Sequence, residues 1–81
     1  MGTDKSAPSK NEIVRLFLTE AFRIFEMEGV VVMSTEEIFS AINQPFNFEV
    51  VNYMRKLDFI REESGSMFSL TDRGKDMAQK E

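Results

Sequence analysis

Basic and amide side chains that could contact nucleic acid are concentrated in residues 50–61. Asn52 could pair with the edge of an adenine, and Arg55 and Lys56 could contact guanine or phosphate. Arg61 could add one more phosphate contact. This stretch carries three basic residues against one acidic residue, and it is the most basic part of the chain. The composition of residues 50–61 makes DNA binding one candidate function.

Carboxylates on either side of this stretch oppose DNA binding. Glu49 lies just before it, the pair Glu62-Glu63 follows it, and Glu36-Glu37 opens an earlier segment. Each phosphate contact gains affinity by displacing condensed counterions, and acidic groups that face the duplex reduce this gain. The whole chain has 10 basic and 14 acidic residues, for a net charge of −4. We therefore expect weak DNA binding at physiological salt and favour contact with a protein partner.

Catalysis has little support in the sequence. The chain has no Cys and no His, which excludes disulfides, thiolate metal ligands and nucleophilic triads built on imidazole. The carboxylate pairs are adjacent in sequence, so their side chains do not face one another on a helix or a strand. Ser64-Gly65-Ser66 has the composition of a turn, and neither a glycine-rich phosphate loop nor a metal-ligand spacing is present. The prediction is a protein that is not an enzyme and uses no cofactor or metal.

Length and composition indicate one small domain with an apolar core. The 81 residues include eight Phe and six Met, and 42% are hydrophobic. No run is long enough to span a membrane and no secretory signal pattern is present, so we expect a soluble intracellular protein of the nucleus or cytoplasm, or of the nucleoid in a prokaryote. Residues 1–10 are mostly small and polar and contain a proline, which predicts a flexible N-terminal segment before a domain of residues 11–81.

The longest predicted element is a first helix, Glu12–Glu28. Ser9 and the Glu three residues later have the spacing of a capping box, and no Gly or Pro interrupts the chain until Gly29. Ten of the seventeen helical residues are apolar, which is wider than the single stripe of a surface helix. Such a helix either lies at the centre of its own domain or presents part of its surface, around Phe22 and Phe25, to a second copy.

Shorter elements follow in the order strand, helix, turn, helix, hairpin and helix. Ser34, Asn47 and Thr71 stand at the positions where N-caps are expected, and β-branched or aromatic residues mark the strands. Gly74 weakens the prediction of the last helix. The predicted bounds are 30–33 for the first strand, 34–42 for the second helix, 48–57 for the third helix, 59–63 and 67–70 for the hairpin, and a short helix after Thr71.

The third helix is predicted to have one buried and one exposed face. We expect the inward side chains to be Val50, Val51, Met54 and Leu57, leaving Tyr53 on the outward face. Phe46 and Phe48 flank the cap of this helix, and one or both are expected to fill the core as a hydrophobic staple. Either ring, if exposed beside Tyr53, would form an aromatic docking patch. The candidate contact residues for a protein partner or DNA are Asn47, Glu49, Asn52, Tyr53, Arg55, Lys56 and Arg61.

This order of elements resembles that of the winged helix-turn-helix family over residues 11–79. The resemblance implies an α+β fold with a three-helix core, a small antiparallel β-sheet with a hairpin wing, and a short C-terminal helix. The segment 16–70 also looks like the C-terminal winged-helix appendages of minichromosome maintenance helicase subunits. The residues that carry the resemblance are the capped helix 34–42, the turn Gln44-Pro45-Phe46-Asn47, the helix end Leu57-Asp58-Phe59-Ile60 and the closing Ser69-Leu70-Thr71-Asp72-Arg73-Gly74.

Three functions are compatible with this resemblance. The first is a protein-binding module within a DNA replication, transcription or chromatin-associated assembly, as the near-neutral and acidic members of the family imply. The second is a DNA-binding transcriptional regulator that uses helix 48–57 and the wing 59–70, alone or as a dimer. The third is a dimerisation domain with no ligand on the third helix. The acidic borders of the third helix favour the first.

Overall fold

The computed structural model describes residues 9–80, which form an α+β fold of four helices and one three-stranded antiparallel sheet. The predicted order of elements is confirmed. None of the helices in this part of the chain is both long and apolar enough to cross a membrane. The helices are α1 (Lys10–Glu28), α2 (Thr35–Ala41), α3 (Phe48–Lys56) and α4 (Asp72–Gln79), and the strands are β1 (Val32–Ser34), β2 (Ile60–Ser64) and β3 (Met67–Leu70).

Local interactions define both ends of α1. The Ser9 hydroxyl accepts a hydrogen bond from the backbone N–H of Glu12, at 3.2 Å. Gly29 ends the helix with a φ of 69°, in the left-handed region that glycine adopts without strain. Ser9 is the cap, as its capping-box spacing predicts, and Lys10 is the first residue of α1, although both also lie within the segment 1–10 predicted to be flexible. The other residues of that predicted segment, 1–8, lie outside the described residues.

The sheet places β3 between β1 and β2. Met33 of β1 lies opposite Phe68 of β3, and Ile60 of β2 lies opposite Leu70. The hairpin turns at Gly65, whose φ is 56°. The first strand begins two residues later than predicted, but its pairing with the end of the chain is as expected. This pairing ties the segment after α1 to the hairpin that follows α3.

Side-chain caps start the two helices that follow β1. The Ser34 hydroxyl accepts a hydrogen bond from the N–H of Glu37 at 3.4 Å, at the start of α2. The Asn47 side-chain oxygen accepts from the N–H groups of Glu49 and Val50, at 3.0 and 3.2 Å, at the start of α3. These N–H groups have no partner inside their own helix, so the caps satisfy donors that would otherwise be left to solvent. Both predicted caps are confirmed.

The core is built around Phe17 of α1, which is completely buried. Its ring centroid lies 5.1 Å from that of Phe39 on α2 and 5.2 Å from that of Phe68 on β3. These tilted arrangements are the ones that aromatic pairs prefer. From α3, Val50 and Met54 are also fully buried. Further buried apolar residues are Ile13, Val14, Leu18, Ala21, Met33, Ile38, Phe59, Ile60 and Leu70.

The packing of α4 against α1 explains much of the apolar width of the first helix. Phe22 and Phe25 are half-buried, with stacked rings whose centroids are 6.2 Å apart. The Lys75 ammonium of α4 lies 4.2 Å from the centroid of the Phe25 ring, within the range of a cation–π contact. Only Leu16 and Met27 are exposed large apolar residues of α1. The surface around Phe22 and Phe25, which was considered for contact with a second copy, is therefore partly buried within the chain itself.

The start of α4 is fixed to the end of α3 by Thr71 and Gly74. The Thr71 hydroxyl donates to the Asp58 carbonyl at 2.5 Å and accepts from the Gly74 N–H at 3.0 Å. A Cβ atom at Gly74 would lie 2.9 Å from the Phe59 carbonyl carbon and closer still to its oxygen. The glycine that weakened the prediction of this helix is therefore the residue that lets the helix approach the backbone so closely.

Candidate binding groove

Phe46 and Phe48 do not fill the core, so the prediction that one or both would do so was wrong. Phe46 is 48% exposed and Phe48 is 66% exposed. Phe46 contacts the core through the ring of Phe39, in a T-shaped arrangement with 5.5 Å between the two ring centroids. The physical reason is the extended backbone of Asn47 where it caps α3, which places its two neighbours, Phe46 and Phe48, at the rim of the domain. The core at this end of α3 is already filled by Val50.

The two phenylalanines line a groove between the start of α3, the start of α2 and the β2–β3 hairpin, and we call it the α3–hairpin groove. Its volume is about 170 Å³. The lining combines apolar side chains with polar groups from α3 and from the hairpin. The apolar lining residues are Phe46, Phe48, Val51, Ile60, Met67 and Phe68, and the others are Thr35, Asn52, Arg55, Glu62, Gly65 and Ser66.

The size of the groove limits what it can hold. A cavity of about 150 Å³ lined by apolar side chains can accommodate one benzene ring. Sites for cofactors and drug-sized ligands are larger, at about 300–1,000 Å³. The groove, at about 170 Å³, therefore fits one aromatic or branched aliphatic side chain. Val51 occupies the position at which a residue would pair with Phe46 in a hydrophobic staple, and it lies half-buried in the groove wall.

Asn52 and Arg55, predicted to be free for a partner, are held at the edge of this groove. The Arg55 guanidinium forms an ion pair with Glu62 of β2. It also donates a hydrogen bond to the Asn52 side-chain oxygen, at 3.1 Å. The side chains of Arg55 and Glu62 are 46% and 51% exposed, so water screens this pair. The pair connects α3 to the hairpin and neutralises the one basic group that lines the groove.

Tyr53 is directed away from the groove and does not face outward as predicted. It is half-buried and packs against the core. Its hydroxyl donates to the Asn11 side-chain oxygen at 3.4 Å, and the Lys10 ammonium lies 4.8 Å from the ring centroid. Tyr53 therefore joins α3 to the start of α1. The aromatic patch expected beside Tyr53 is replaced by one formed by Phe46 and Phe48 on another side of α3.

The remaining predicted contact residues are distributed over separate parts of the surface. Asn47 is the α3 cap, and its side-chain oxygen is used inside the domain. Glu49 and Lys56 are exposed at opposite ends of α3, where their charges complement the helix dipole. Arg61 is exposed on β2, in a polar depression that Arg73 also lines. The structure therefore does not bring the seven predicted residues together into one site.

A second face of α3 could have been found in the sequence. Phe48, Val51, Asn52 and Arg55 have the i, i+3, i+4, i+7 spacing of one helix face, and all four line the groove. Tyr53 belongs to the face that includes Val50 and Met54 and packs against the core, as Val51 also does. The prediction placed Val51 on the inward face and Tyr53 on the outward face, whereas both contact the core and, of the two, Val51 also lines the groove.

Carboxylates border the groove. Glu62 lines it, and Phe46 also lines a neighbouring depression that contains Glu36. Glu49 directly follows Phe48 and lines a further depression beside Pro45, which Lys10 also lines. Arg55 and Glu62 compensate each other, so the uncompensated charges of these borders are Glu36, Glu49 and Lys10, which leaves a net negative charge.

Two features of residues 9–80 concern metal binding and buried polar groups. Within this range no group of three His, Cys, Asp or Glu residues is placed to hold a metal ion. Every buried side-chain polar atom of the described residues has a hydrogen-bond partner.

Comparison of the chain with protein-family models, with curated proteins and with solved structures found no match.

Proposed function

We propose that residues 9–80 form a winged helix-turn-helix domain that acts as a non-catalytic protein-binding module, with the α3–hairpin groove as its docking site. The fold proposal is supported by the order of the elements, since a helix-turn-helix unit with a preceding helix and a following hairpin is the plan of that family. In this proposal α2 and α3 are the helix-turn-helix unit and the β2–β3 hairpin is the wing. The assignment to a DNA replication, transcription or chromatin-associated assembly rests on the family resemblance.

The observation that carries the binding proposal is the exposure of two phenylalanines around a preformed apolar groove. Exposed apolar patches rimmed by polar residues mark interaction sites. Aromatic residues are also enriched among the side chains that contribute most to protein–protein affinity. The groove accepts one side chain, so the occupant is a segment of a partner protein that inserts a single apolar anchor.

DNA binding is the second candidate, supported by the exposed Lys56 and Arg61. Two of the groups expected to contact DNA, Asn52 and Arg55, are already bonded to one another, and Arg55 is paired with Glu62. Releasing them would leave Glu62 facing the phosphates, which lowers the gain from counterion release. We therefore rank protein contact above DNA contact.

The binding proposal is tested by selection from a random peptide library displayed on phage. Three proteins are compared: the unchanged chain, Phe48→Ser in the groove wall, and Met27→Ser as a control on α1. Met27 is 74% exposed, so both substitutions remove an exposed apolar side chain. Selected peptides should share an apolar anchor, bind Met27→Ser normally and lose at least about thirtyfold in affinity for Phe48→Ser, the equivalent of a hot spot of about 2 kcal/mol. Equal binding to Phe48→Ser, or no enrichment, would contradict the proposal.

The DNA alternative is tested separately by NMR. Generic duplex DNA is titrated into the labelled protein at about 0.15 M salt, where surface charges are screened beyond about 8 Å. We expect no clustered amide shifts. Shifts clustered in residues 47–66 that weaken steeply with added salt would instead support the DNA-binding alternative.

A further inference from the structure

We infer that the segment docked in the α3–hairpin groove is basic, with Lys or Arg residues on both sides of its apolar anchor. The inference rests on the proposed function, since it specifies the partner chemistry of the same groove. The charges that surround the groove carry this inference. The apolar lining alone would not specify the charge of the partner.

The only basic side chain that lines the groove is not available to attract an acidic partner. Arg55 is ion-paired with Glu62 and bonded to Asn52, so its charge is compensated within the chain. An acidic segment would have to break this pair to reach the guanidinium. It would also bring its own carboxylates next to Glu62, and like charges at an interface are unfavourable.

The charges next to the exposed rings are mainly negative, with Lys10 beside Pro45 as the basic exception. Glu36 lies in the depression that Phe46 shares with the groove, and Glu37 follows it on the first turn of α2. Glu49 adjoins Phe48 on α3. All three are exposed. A segment that seats its anchor between the two rings therefore passes carboxylates on the α2 side and on the α3 side.

Affinity requires contributions from these borders because the groove is small. One inserted side chain must offset the loss of translational and rotational freedom of a whole partner, together with the ordering of its segment. Complementary charges around the anchor add to affinity and also raise the rate of association. The net charge of −4 acts over longer range in the same direction.

The test uses three short synthetic peptides that share one central Phe and differ only in their flanking residues, which are Lys and Arg, Ser and Gln, or Asp and Glu. Binding to the whole chain is measured by fluorescence anisotropy at low salt and at about 0.15 M salt. The basic peptide should bind about tenfold more tightly than the neutral one at low salt, the combined effect of several exposed charge pairs, and the acidic peptide should bind most weakly. The advantage of the basic peptide should shrink as salt is added.

Two double variants with the same change in net charge locate the effect. Glu36→Gln with Glu49→Gln removes carboxylates beside the groove and should reduce the advantage of the basic peptide to about threefold or less, as two exposed charge pairs are lost. Glu12→Gln with Glu28→Gln removes exposed carboxylates of α1, outside the groove, and should reduce the advantage much less, through net charge alone. An equal loss in both double variants would show an effect of net charge alone and would overturn the inference.

The Phe48→Ser variant separates the failure of this inference from the failure of the proposed function. If all three peptides bind equally and Phe48→Ser abolishes their binding, the groove is a docking site but its partner is not basic. If no peptide binds, or if Phe48→Ser binds all of them normally, both the inference and the proposed docking site are wrong.

Discussion

Five of the eight phenylalanines of this chain form two groups with opposite environments. Phe17, Phe39 and Phe68 are almost completely buried, and the ring of Phe17 on α1 contacts Phe39 on α2 and Phe68 on β3. Phe46 and Phe48 stay largely exposed at the start of α3. Burying a phenylalanine side chain contributes about 1.5–3 kcal/mol to folding. The first group therefore stabilises the domain, whereas the second leaves apolar surface exposed.

The same contrast exists between two faces of α3. One face, which includes Val50 and Met54, is buried in the core. The other, which includes Phe48 and Val51, lines the groove beside the hairpin. A single helix thus both anchors the fold and forms a wall of the candidate site, so changes on its two faces should have different consequences.

Truncation of one ring from each group gives the largest expected difference. Phe17→Ala should lower the free energy of unfolding by about 3–5 kcal/mol, because it removes a buried ring and leaves a cavity in a closed core. Phe48→Ala should change it by no more than about 0.5 kcal/mol, as for most surface substitutions. Urea unfolding followed by circular dichroism measures both values. A cost for Phe48→Ala close to that of Phe17→Ala would show that the exposed group is structural.

Two glycines sharpen the comparison with a smaller effect. Gly74→Ala should destabilise by about 2–3 kcal/mol, since the new Cβ overlaps backbone atoms of Phe59 that cannot move independently. Gly65→Ala, at the groove, should cost about 1 kcal/mol, because alanine is disfavoured in the left-handed conformation of this residue. No steric cost is added, since a Cβ there meets no atom within 4 Å. Thermal unfolding of the two variants measures which substitution is the more destabilising. If Gly74→Ala were instead stabilising, as expected from helix propensity alone, α4 would not be packed as described.

The Arg55–Glu62 pair should show the smallest effect. A double-mutant cycle with Arg55→Ala and Glu62→Ala should give a coupling energy of about 0.2–1 kcal/mol, because both side chains are about half exposed. The coupling should fall further in high salt. A coupling well above this range would mean that the hairpin is held rigidly to α3, and the groove would then be less able to adjust to an inserted side chain.

Local rules were sufficient to predict most of the secondary structure. Ser9, Ser34, Asn47 and Thr71 were all identified as caps, and each accepts the expected backbone hydrogen bond. Capping depends on a side chain and on an N–H group two or three residues away, so it can be read from adjacent letters of the sequence. The α+β class and the order of elements followed from these caps and from the strand-forming segments between them.

The candidate site was predicted less well. Asn52 and Arg55 do lie at the groove, but Tyr53 does not, and Val51, predicted to face inward, lines the groove as well as packing against the core. Val51 and Tyr53 are both half-buried and both pack against the core, so composition could not decide which of them would also line the groove. The rotation of α3 about its axis was needed for that, and this rotation depends on how α1 and the hairpin pack against it.

The sequence alone determined where the helices begin, because each N-cap is a hydrogen bond between near neighbours in the chain. Tertiary structure alone decided which phenylalanines are buried, where Arg55 finds its carboxylate and why residue 74 is a glycine. Each of these depends on the distance between different helices and strands, which is set only when the elements pack together.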